Sequence, residues 1–115
     1  MSVEEIAETA AVDDSPTNKE AGFLIGKALA GLTGKLWALP RRDELALYLM
    51  RNGDAIDIGA LTLTVRHPHY EWEGTLKYTG KFYERNGLKA PQPVNVKGTP
   101  DQIAGKIIEL LGSYL

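Results

Sequence analysis

Between residues 62 and 85, hydroxyl, cationic and aromatic side chains recur at every second position: Thr62, Thr64 and Arg66, then Lys77, Thr79, Lys81, Tyr83 and Arg85. Read as strands, they alternate with Leu61, Leu63 and Val65 and with Leu76, Tyr78 and Phe82. One sheet face would then be apolar, and the other would carry four cations, three threonine hydroxyls and one exposed tyrosine. Cations and hydroxyls contact phosphate oxygens, and an exposed ring stacks on a base for about 1–3 kcal/mol. Residues 66–85 hold five of the nine aromatics of the chain, the interleaving of basic and aromatic groups that single-strand binders use. The expectation is a surface for single-stranded nucleic acid, with Arg66, Lys77, Lys81 and Arg85 holding phosphates and Tyr83 stacking. The same residues also suit an ordinary solvated sheet face, where lysines discourage edge-to-edge aggregation.

Other constellations offer less. His67, His69, Glu71 and Glu73 stand two apart and would project to one side of an extended chain, a donor set suited to zinc or another divalent ion. Pro68 interrupts that strand, and two histidines without thiolates make a thin site, so residues 67–74 read as a polar loop anchored by Trp72 and no metal or other cofactor is expected. The segment Gly22 to Lys27 is one residue too short for a phosphate-binding loop and lacks the following serine or threonine. Gly22 and Gly26 instead suit close packing of a helix on a sheet. No cysteine is present, and the serines at 2, 15 and 113 sit in no nucleophile elbow. No catalytic residue is expected, and the chain reads as a non-enzymatic binding protein. Trp37, Tyr48 and Met50 would share the open face if Leu45, Leu47 and Leu49 point inward. Since aromatics and methionine are enriched at interfaces, the second function class is a protein-interaction module: an adaptor, inhibitor or assembly factor, or a homodimer through a strand edge or the C-terminal helix.

The charge balance separates two segments. Residues 1–20 hold six acids against Lys19, a net of −5, while the remaining 95 residues hold twelve bases and nine acids, a net of +3. Residues 1–14 read as a flexible acidic leader, in which Val3, Ile6 and Ala10 line one side of a short helix with Ser2 and Glu5 as a capping box. Residues 15–115 read as one domain. The leader lacks the basic start and apolar run of a secretory signal. The most hydrophobic window, Ala21 to Leu39, carries Lys27 and Lys35, which cost about 2.5–3.5 kcal/mol each near the centre of a bilayer. No membrane partner is expected, and the default location is cytoplasmic.

The elements that must position these residues follow from spacing. Thr17 and Glu20 form a capping box ahead of Ala21, Leu24, Ile25, Ala28 and Leu32, with Phe23 and Leu29 widening a stripe that must be largely covered. Gly31 and Gly34 end that helix. Lys35–Leu39 is a short strand that Pro40 and the run Arg41-Arg42-Asp43 break. Asn52-Gly53 suits a type I′ turn, because both central residues take positive φ. It pairs Arg51 with Asp54, Leu49 with Ile56 and Leu47 with Ile58; the rival reading is a helix over 42–52. The apolar phase then changes from even to odd positions, which requires a bulge or bend at Gly59. Leu76 to Glu84 is a strand ended by Asn86-Gly87, and Val94 and Val96 form a last strand after a Pro91–Pro93 loop. Thr99, Pro100 and Gln102 open a final helix with Ile103, Ile107, Leu110, Leu111 and Tyr114 as its stripe. The predicted fold is α+β: a helix, a four- to five-stranded antiparallel meander and a helix, in two layers with one sheet face open.

Overall fold

The computed structural model describes residues 17–41 and 44–115. Along them run α1 (Asn18–Leu32), β1 (Leu36–Arg41), β2 (Glu44–Arg51), β3 (Asp54–His67), β4 (Glu71–Lys77), α2 (Gly80–Arg85), β5 (Val94–Gly98), α3 (Pro100–Leu111) and a closing 3-10 turn, Gly112–Tyr114. The five strands form one antiparallel sheet in sequence order, an open meander with β1 and β5 at its edges. Helices α1 and α3 pack on one face, giving the expected α+β architecture. The acidic leader, its capping box and stripe, Ser15, Pro16 and the residue pair 42–43 lie outside the described residues.

Both long helices begin where their capping boxes place them. The Thr17 side chain accepts from the Glu20 amide while the Glu20 carboxylate accepts from the Thr17 amide, and Thr99 and Gln102 repeat the exchange at α3. Ile25 and Leu29 of α1 and Ile103, Ile107 and Leu111 of α3 are fully buried against Leu36, Leu47, Leu61, Trp72 and Leu76 of the sheet. The close approach expected of Gly26 is present: a Cβ there would stand 3.2 Å from that of Ala38. The stripe of α1 is less covered than its composition suggested, since Phe23 is 63% and Leu32 62% exposed.

The turn at Asn52-Gly53 has both φ angles positive, 52° and 84°, and Arg51 faces Asp54 and Leu49 faces Ile56. This is the hairpin, so the rival helix over 42–52 does not form. The expected Leu47–Ile58 pair is corrected: Leu47 faces Gly59, and Ile58 is the extra residue of a bulge. Pro40 does not end β1, which runs to Arg41 and faces Glu44. Proline is tolerated because β1 is an edge strand whose neighbour bonds lie elsewhere. Nor is 67–74 a loop. Strand β3 reaches His67, only Pro68, His69 and Tyr70 turn, and β4 starts at Glu71. His69 and Tyr70 make that tight reversal with φ of 66° and 63°.

The largest departure follows β4. No strand runs from Leu76 to Glu84; β4 stops at Lys77, and Gly80–Arg85 is helix α2. Asn86-Gly87, read from sequence as a strand terminator, caps this helix. Gly87 has φ 64°, its amide donates to the Glu84 carbonyl, and the Leu88 amide donates to that of Tyr83. That pair of bonds is a Schellman termination. Helix α2 lays Phe82 and Tyr83 onto the same sheet face as α1 and α3, beside Tyr114.

Candidate functional site

Paired residues in an antiparallel ladder point to the same face, so register assigns every side chain. Leu36, Ala38, Leu45, Leu47, Leu49, Leu61, Trp72, Leu76 and Val96 face the helices. Four rows cross the open face: Trp37–Tyr48–Asp57, Leu39–Ala46–Ala60–Lys77, Arg41–Glu44–Thr62–Thr75–Asn95 and Val65–Glu73–Lys97. Met50 pairs with Ala55 beyond the first row. Trp37, Tyr48 and Met50 thus share the open face.

The residues expected to bind nucleic acid do not share a surface. A second bulge in β3 leaves Thr64 without a partner between Leu63 and Val65. It turns Val65 to the open face, 44% exposed, and sends Arg66 to the helix side opposite Trp72. Thr64 instead donates to the Glu73 carbonyl at 3.4 Å. Lys77 stays on the open face next to Ala60. Lys81 and Arg85 leave the sheet and sit one helical turn apart on the exposed side of α2. Tyr83 is 1% exposed, and its hydroxyl donates to the Ile58 carbonyl at 3.0 Å. Burial pushes its phenol well above the usual range, with the Tyr114 and Tyr78 phenols adding in the same direction. Tyr83 cannot stack on a base without leaving the core. Among the described residues, the open face carries Arg41, Lys77 and Lys97 against Glu44, Asp57, Glu71 and Glu73, so it is not a cationic face.

The metal-like quartet is split. His69 lies in the turn, while His67, Glu71 and Glu73 reach the open face. His67 Nε2 stands 3.0 Å from one Glu73 oxygen, and Asn95 Nδ2 donates to the other at 2.7 Å. These bonds, Asn95 first and then His67, hold the Glu73 carboxyl below its usual range. Among the described residues, no group of three or more histidines and acids is placed to hold a metal ion. Trp72 anchors this end of the sheet, as expected of it, but from within β4. It is fully buried, and its indole N–H donates to Asn18 Oδ1 at 3.0 Å.

What the structure does bring together is apolar. Trp37 is 60% and Leu39 49% exposed, side by side on edge strand β1, and half-buried Tyr48 and Met50 continue the patch on β2. Ala46 and Ala60 form its floor, shaded by these neighbours although they face solvent. The backbone of β1 adds directional groups. The Met50 amide donates to the Lys35 carbonyl, which fixes the alternation of the ladder. Trp37, Leu39 and Arg41 bond to β2, while the N–H groups of Leu36 and Ala38 and the carbonyls of Leu36, Ala38 and Pro40 point away from it. Among the described residues, no strand pairs on that side. Sequence reasoning placed Trp37 here and named a strand edge without saying which, but missed Leu39; the signal was Pro40, which marks an edge strand when alternation runs through it.

Comparison with protein-family models, with curated proteins and with solved structures gives no match. Among the described residues, no helix is long and apolar enough to cross a membrane.

Proposed function

We propose that this protein is a non-enzymatic interaction module that takes a polypeptide along β1 and the adjoining apolar half of the open face. One observation carries the reading: Trp37 and Leu39 stand exposed on the strand whose outward N–H and carbonyl groups have no partner strand among the described residues. An edge that is both apolar and unpaired is a template for adding a strand, in which backbone bonds supply affinity and side-chain pockets supply selectivity. A photo-crosslinking residue at position 37 of the full chain, with one at Lys97 near the far edge as control, tests it in cell extract. The expected result is an adduct with a separate polypeptide at 37, lost on Leu39→Glu. No such adduct at 37 overturns the reading.

A second reading keeps single-stranded nucleic acid as the partner. The observation that favours it is the pair Lys81 and Arg85, both exposed one helical turn apart on α2. Titration of a short oligonucleotide, followed by amide NMR at low and high salt, would show salt-sensitive shifts at these two residues. Unchanged spectra would remove it.

A further inference from the structure

The edge of β1 is complementary to itself. We infer that this edge takes a second copy of the same chain, β1 antiparallel to β1 about a two-fold axis at Trp37, which joins the two five-stranded sheets into one. The inference rests on the reading above, because it names the polypeptide that the edge binds. Hydrogen bonding, charge and buried area select this partner and this register.

Two antiparallel strands bond only through residues whose backbone groups point at each other. On the free side of β1 these are Leu36, Ala38 and Pro40. An axis at Trp37 sets Leu36 opposite Ala38 of the second copy, twice, and every N–H and carbonyl of these two residues finds a partner. The two Trp37 residues then meet as a non-hydrogen-bonded pair, where side chains approach most closely. Their indoles lie together on the open face, with a Leu39 beside each. Charge agrees with this register. Lys35 stands opposite Leu39 of the second copy, and Arg41, which has Glu44 on its other flank, stands opposite Thr33. An axis one residue along, at Ala38, would set Lys35 against Arg41 twice. It would also turn the Leu36 carbonyl toward Pro40, which has no N–H to give.

The helices permit the approach. Leu24 and Ala28 of α1 line the cleft to α3, whereas Phe23, Gly26 and Ala30 form another side, where Gly26 meets Ala38 of the edge. Helix α1 begins at the Pro40 end of β1, where Asn18, Lys19 and Pro40 line one cavity, so it runs antiparallel to β1. The axis therefore sets two α1 helices side by side in opposite directions, Phe23 of one beside Ala30 of the other. Small residues at 26 and 30 allow the separation of about 8–10 Å at which helices pack. Trp37, Leu39 and Phe23 are 60%, 49% and 63% exposed, and a whole aromatic side chain offers about 150–250 Å². With the strand backbone and the stems of Lys35 and Arg41, each copy loses about 600 Å², and the total of about 1,200 Å² reaches what a specific interface needs.

The chain has no cysteine, so introduced thiols report the register. Full-length Leu39→Cys mixed with Lys35→Cys keeps both indoles and is expected to form an interchain disulfide on mild oxidation. Leu39→Cys alone forms none, because its two copies stand four residues apart along the pair. The unsubstituted chain should sediment at twice its own mass. Its Leu36 and Ala38 amides should exchange at least about tenfold more slowly in concentrated than in dilute protein. A single-chain mass at every concentration, or slow exchange at these amides that ignores concentration, overturns the inference. A doubled mass without the disulfide, or with one between Lys35→Cys and Arg41→Cys instead, overturns it as well. A monomer that still yields a foreign adduct at position 37 removes the second copy and leaves the interaction module standing. No adduct at position 37, with a foreign chain or with a copy of this one, removes both.

Discussion

Tyr83→Phe removes one oxygen atom and tests the placement of α2. In the folded chain that hydroxyl is buried and donates to the carbonyl of Ile58, which has no partner residue in either ladder of β3. The ring would stay, packed edge-on against Phe82 at 5.1 Å and Tyr114 at 5.4 Å between centroids. The loss is then the hydrogen bond and the isolation of a buried carbonyl, together about 1–2 kcal/mol. With a urea m-value of about 1.5 kcal/mol per M, the unfolding midpoint followed by circular dichroism should fall by about 1 M. An exposed hydroxyl on an open sheet face would leave the midpoint within about 0.3 M, and that outcome would refute the buried placement. The phenol gives a second reading. Its pKa is raised in the folded state, so its contribution to stability is fully present below about pH 10 and is lost as pH rises above that value. Tyr83→Phe should flatten this alkaline decline.

Three further outcomes follow from the same packing. Asn18→Ala should cost about 1–2 kcal/mol in chemical unfolding by orphaning the indole N–H of Trp72, and the loss should vanish in a Trp72→Phe background. Gly74→Ala should destabilise by about 1–3 kcal/mol, seen as a lower melting temperature, because a Cβ there would run into the Thr62 carbonyl across the ladder. Glu73 has its carboxyl held low by Asn95 and His67. Its contribution is therefore complete above about pH 4.3 and fades as pH falls through the lower folded value; Glu73→Gln should flatten the acid limb of a stability–pH curve.

The features that could be read from sequence were those fixed by neighbours within four residues. Thr17 with Glu20, Thr99 with Gln102 and Asn52-Gly53 each carry a local geometry that no distant contact needs to supply, and each is present. The candidate face failed because its positions depended on counting by two. The bulge at Thr64 shifts that count by one, which turns Val65 outward and Arg66 to the other side. The alternation of Leu76, Tyr78, Gly80 and Phe82 was accidental past Lys77. The adjacent pair Phe82-Tyr83, both buried, fits no half-buried strand, and Asn86-Gly87 belongs to a helix end. The apolar half of the face was legible at Trp37, Tyr48 and Met50, because those residues lie in strands whose phase the hairpin fixes.

The two bulges of β3 also set a shape. Each adds right-handed twist to the strand that carries it, and β3 is the central strand of the five. The solvent side is therefore a saddle rather than a plane. A flat partner laid across it would touch along one diagonal and leave the corners wet. A single strand added along the rim inherits the twist of its neighbour and keeps contact over its whole length.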